Sequence, residues 1–105
     1  MHTKTHEKSE VLIFGSALTS STPRDIDILI IYNSETCPPM QAYKLHSAFL
    51  DALESHFKKP IHPTLLTNSE EAGTNFIERT CAIKLDSFFI NKGIQFNHFY
   101  QMLPG

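Results

Sequence analysis

Cysteine is scarce in this chain, and the two present, Cys37 and Cys81, form no CxxC or paired Cys/His spacing. A structural zinc site is therefore not expected, and reduced thiols are the default reading. Long apolar runs are lacking too: none approaches the roughly 20 residues that a membrane helix requires. The polar leader from Met1 to Glu10 contains no apolar stretch of the kind a secretion signal carries. Both points favour a soluble, cytoplasmic protein with no membrane partner. Nor is there an excess of positive charge, since 9 Lys and Arg face 11 Asp and Glu for a formal net charge of −2. A general nucleic-acid scaffold would carry a basic surface instead. Internal repeats and low-complexity segments are also missing.

What remains is ordinary globular material. With 41% hydrophobic and 19% charged residues, the chain has enough apolar side chains to fold rather than stay disordered. Its 105 residues suit one domain over residues 1–105 with a modest core, the polar residues 1–9 being expected to fray. Val11 to Phe14 is a continuous apolar run ending at Gly15, as for a buried strand entering a turn. Ala17 to Arg24, rich in Ser and Thr, reads as a loop. Ile26 to Tyr32 is apolar on both faces and predicts an interior strand.

From about Met40 to Phe57, Leu45, Phe49, Leu53 and Phe57 recur at every fourth position, which predicts one long amphipathic helix. Lys58 and Lys59 suit its solvated C-terminal turn. Ile61 to Thr67 is a third strand that Pro63 confines to a sheet edge or a bulge. Asn68 and Glu71 have capping-box spacing, predicting a further helix that could carry Phe76, Ile77, Thr80 and Ile83 on one face. Glu70 and Glu71 fit its acidic first turn. The remainder is aromatic-rich and gives no clear assignment. Five aromatics lie between Phe88 and Tyr100, more apolar surface than so small a monomer needs, which points to a partner surface. The fold class expected is α/β (α+β): a short mixed β-sheet with flanking helices and the Ile26–Tyr32 strand central.

The chemistry centres on two short motifs. Asp25 and Asp27 are two apart on a strand, so their side chains share a face, roughly 7 Å apart at Cα. Carboxylates so placed on a core strand repel one another and lose hydration unless a cation sits between them. Mg²⁺, with its preference for oxygen ligands, meets that need. Gly15 lets backbone approach a ligand closely, and Ser16 adds a hydroxyl. If a helical turn begins near Ala17, its N–H groups would face an anion. A phosphate cradle beside metal ligands is what phosphoryl or nucleotidyl transfer uses.

The stretch Val-Leu-Ile-Phe-Gly-Ser, then eight residues, then Asp-Ile-Asp-Ile-Leu-Ile-Ile-Tyr resembles the signature of the DNA polymerase β-like nucleotidyltransferase superfamily. The short chain is similar to its minimal branch, which includes antitoxin partners of HEPN toxins. The motif covers residues 11–32, and the order of elements extends the likeness to about residue 67. By position, the resemblance implies that Gly15 and Ser16 contact nucleotide phosphates and that Asp25 and Asp27 bind two divalent ions. Arg24, the one arginine near the motif, could meet a triphosphate. The family's third carboxylate, on the third strand, has no counterpart here. His62 stands in its place, with Thr64 next on that face. Imidazole suits a general base near neutral pH but is a poor ligand for Mg²⁺. The loop is also shorter than the family's, and no arginine directly follows Gly-Ser.

The resemblance implies Mg²⁺-dependent transfer of a nucleoside monophosphate, AMP from ATP, to a hydroxyl on protein or RNA. The catalytic set is then Asp25, Asp27 and His62, the nucleotide contacts Gly15, Ser16 and Arg24. A protein partner, a HEPN-type toxin or another acceptor, would supply surface this chain lacks; a homo-oligomer also stays open. The rival reading is a catalytically degenerate binding module that neutralises or scaffolds a partner. Among the other histidines, His2 and His6 fall in the polar leader, His46 and His56 on the long helix, and His98 in the tail. None shares a spacing that points to a metal site.

Overall fold

The computed structural model describes residues 8–104. Its first strand, β1 (Glu10–Phe14), runs into a 3-10 turn at Gly15–Leu18 and returns through a Ser- and Thr-rich loop as β2 (Ile26–Tyr32). A second 3-10 turn at Pro39–Gln41 opens into α1 (Ala42–Leu45) and then α2 (Ser47–Phe57). There follow β3 (Ile61–Thr67), α3 (Asn68–Thr74), α4 (Phe76–Thr80), β4 (Ile83–Lys84), α5 (Leu85–Asn91) and α6 (Asn97–Tyr100). Among the described residues the strands form one mixed sheet in the order β3-β2-β1-β4. β1 pairs antiparallel with both β2 and β4, and β2 pairs parallel with β3. The protein is thus α+β with a short mixed sheet. The Asp-x-Asp strand is interior and the Pro63 strand lies at an edge, where its missing N–H is harmless.

Both faces of the sheet are covered, which is why β2 is apolar on both sides except at Asp27. On one face Val11, Ile13, Ile26, Ile28 and Ile30 pack against Phe49, Leu50 and Leu53 of α2, Leu85 and Phe89 of α5, and Phe99 of α6. This is the main core. On the other, Leu12, Leu29 and Ile31 are covered by Phe76, Ile77 and Ala82 around α4. The cover ends in an edge-on contact between Phe14 and Phe76, ring centroids 5.3 Å apart.

The helical expectations need three corrections. The predicted Met40–Phe57 helix is broken at His46, whose backbone departs from helical angles between α1 and α2. Leu45, expected in the apolar stripe, is 40% exposed. The cause is His46 itself: its buried ring donates from Nδ1 to the Ala42 carbonyl at 2.7 Å and receives the Ser9 hydroxyl at Nε2, 2.8 Å away. The capping box is one residue earlier than the spacing of Asn68 and Glu71 indicates. Thr67 is the cap, with reciprocal bonds to Glu70. The helix beyond it does not reach Ile83 as one piece. Asn75 and Cys81, both left-handed, bound α4, and Ile83 belongs to β4. The unassigned tail forms α5 and α6, and its aromatics largely pack at home: Phe89 and Phe99 are buried, Phe88 and Phe96 half-buried, and Tyr100 exposed. No helix among the described residues is long and apolar enough to cross a membrane. His2, His6 and most of the leader expected to fray lie outside the described residues.

Candidate metal centre

Register explains how the site assembles. Asp27 lies opposite Phe14 in β1 and beside His62 in β3, so Asp27, Leu29 and Ile31 share a face with His62, Thr64 and Leu66. Asp25 precedes β2 by one residue and points to the same side. The apolar cover on that face stops at Phe14 and Phe76, and the next positions meet solvent. The Asp25 and Asp27 side chains are 34% and 28% exposed, and that of His62 61%. His62 Nδ1 lies 3.4 Å from Asp25 Oδ2 and 3.9 Å from Asp27 Oδ1. Asp25, Asp27 and His62 each offer one donor atom, all within 4.8 Å of one another. Burial, and then the Asp25 charge, push the Asp27 carboxyl above its ordinary range, partly offset by His62. The ionised pair is therefore a stressed arrangement that a cation would relieve.

Gly15 closes the site from β1. Its φ of +80° is a conformation that other L residues rarely adopt, and a Cβ there would overlap Asp27 Oδ2. The 3-10 turn starts at Gly15 itself rather than near Ala17, and the Ser16 carbonyl accepts the amides of Thr19 and Ser20. Ser16 is exposed beside the carboxylates' strand. Arg24 is exposed as well and makes no ion pair among the described residues. The structure thus brings Asp25, Asp27, His62 and Gly15 together, with Ser16 adjoining. Glu70 and Glu71 stand apart from them: Glu70 completes the cap, and Glu71 accepts the Ile77 amide.

Sequence reasoning passed over two features. One is the dependence of Gly15 on the Asp27 carboxylate, a through-space relation that spacing alone does not show. The other is buried His46, for which a signal exists: His46, Leu50, Leu53 and Phe57 also follow helical spacing.

No protein-family model matches this chain, no curated protein matches it, and no solved structure matches its fold.

Proposed function

We propose that this chain is a minimal nucleotidyltransferase that moves a nucleoside monophosphate, AMP from ATP, onto a hydroxyl of a protein or RNA. The observation that carries this reading is Asp25 and Asp27 on one sheet face, with Gly15 cleared beside them. The two carboxylates fit a hard divalent cation such as Mg²⁺, which when bound would neutralise phosphate charge. Gly15 and Ser16 would hold the phosphates, and exposed Arg24 could add a positive charge. The acceptor hydroxyl would form a bond to the α-phosphorus as the bond to the β-phosphate oxygen breaks, releasing pyrophosphate. His62 would either take the hydroxyl proton or complete the cation site. A partner, such as a toxin paired with this chain as its antitoxin, would supply the acceptor or its docking surface.

One observation favours a second reading, a degenerate binding module: His62 can pair with Asp25 at 3.4 Å with no metal at all. The discriminating experiment incubates the protein with Mg²⁺, each α-labelled NTP and cell lysate, beside an Asp25→Ala/Asp27→Ala control. Label on a macromolecule with the wild type alone supports transfer and gives the base preference. A folded protein that labels nothing sinks the enzyme and leaves the binding module.

A further inference from the structure

We infer that Asp25, Asp27 and His62 hold one divalent transition-metal ion of the Mn²⁺-to-Zn²⁺ range in preference to Mg²⁺. The inference rests on the site proposed above and deepens it. Mg²⁺, where it takes part, would arrive on the nucleotide's phosphates.

The donor set supplies the reason. Mg²⁺ takes oxygen ligands in a near-ideal octahedron, and an imidazole adds little to its binding. The same imidazole strengthens binding of borderline ions, whose affinity for N/O sites rises from Mn²⁺ to a maximum at Cu²⁺, with Zn²⁺ below it. With an imidazole as third donor the set carries only two negative charges, which favours a hard ion least. Two ions about 3.5–4 Å apart need bridging and separate ligands, and two carboxylates with one imidazole supply enough for one.

Geometry agrees. A tetrahedral ion with bonds of about 2.1 Å sets donor atoms about 3.4 Å apart. The Asp25 Oδ2 to His62 Nδ1 distance is 3.4 Å, and Asp27 Oδ1 lies slightly farther from that nitrogen at 3.9 Å. His62 is exposed at a sheet edge and free to turn outward, yet its Nδ1 faces both carboxylates. Gly15 keeps the space beside Asp27 Oδ2 clear of a side chain. Three protein ligands at a solvent-facing position leave coordination sites for water or a phosphate oxygen, as in sites that work rather than merely brace a fold.

The test is metal binding by the full chain with no nucleotide present. Zn²⁺ and Mg²⁺ are titrated by calorimetry and Mn²⁺ by electron paramagnetic resonance, for wild type, His62→Ala, His62→Asp and Asp25→Ala/Asp27→Ala. Folding of each variant is checked by circular dichroism. Zn²⁺ should bind the wild type at one equivalent, about 100-fold or more tighter than Mg²⁺. His62→Ala should weaken Zn²⁺ by at least the roughly 10–100-fold that losing even an outer-shell partner costs, while His62→Asp should gain affinity for Mg²⁺. Equal affinity for Zn²⁺ and Mg²⁺, or Zn²⁺ binding indifferent to His62→Ala, overturns the inference. So does Zn²⁺ binding that survives loss of both aspartates, since it would belong to other histidines. A protein that binds Zn²⁺ as expected but labels nothing overturns the transfer reading alone. One that transfers label yet shows no preference for Zn²⁺ overturns this inference alone.

Discussion

At the scale of single residues, Gly15 and Asp27 are coupled through space although eleven residues separate them in the chain. Gly15→Ala would meet both a left-handed backbone and the Asp27 carboxylate. It should destabilise the fold by about 1 kcal/mol or more and displace the carboxylate. Thermal melts of the two proteins with and without metal check this; an unchanged melting temperature would show that the turn relaxes freely. The Asp25 and Asp27 pair invites the opposite experiment. Because burial and Asp25 resist ionisation of Asp27 more than His62 favours it, Asp27→Asn should raise the melting temperature of the metal-free protein while abolishing the proposed metal binding, a common trade at working sites. Destabilisation by this variant in metal-free buffer would mean that the charge is already satisfied by the protein.

At the scale of elements, left-handed residues set where helices stop. Lys58, Asn75 and Cys81 all have positive φ, and none is glycine. Asparagine tolerates that region better than most residues, but cysteine does not. Cys81 is exposed and free, and its thiol makes only a long contact of 3.9 Å to the Glu78 carbonyl, too little to offset the strain. Cys81→Gly should therefore raise stability by about 0.5–1 kcal/mol, read from denaturant midpoints. A loss of stability would show that the thiol's contact near the Glu78 carbonyl matters more than the backbone. The opposite sign is expected in the core: Phe49→Ala, which empties a fully buried position of α2 against the sheet, should cost about 3–5 kcal/mol.

At the scale of the whole molecule, His46 joins the segment before β1, through Ser9, to the α1–α2 junction. Tyr32 of β2 lies beside it, ring centroids 6.3 Å apart. Burial holds its imidazole below the ordinary histidine range, and the Ala42 carbonyl pulls partly back. The unfolded chain therefore binds this proton at higher pH than the folded one. Stability from neutral His46 is complete above about pH 6.5 and falls as the pH drops through the unfolded value towards the lower, folded one. The slope cannot exceed about 1.4 kcal/mol per pH unit for one group. Melting curves from pH 7.5 to 5.5 should show this decline in wild type and a flatter profile in His46→Gln. Parallel profiles would assign the acid sensitivity elsewhere.

Much of this architecture follows from local pattern. An isoleucine-rich stretch with no polar face can be satisfied only inside a sheet, and Pro63 can sit only where a ladder bond is dispensable, so the positions of β2 and β3 were legible from residue order. The two aspartates were legible too, because strand alternation puts them on one face wherever the strand lies. The helix breaks were not. A period of four is the same for one long helix as for α1 and α2, and the side chain that interrupts it finds its partner in Ser9, 37 residues away. The resemblance aligns His62 with the carboxylates, but spacing alone does not place it there. That needed β3 to pair parallel with β2 in the register that sets His62 beside Asp27. Spacing along the chain determines which residues share a face; only strand pairing, a contact between distant segments, decides which faces meet.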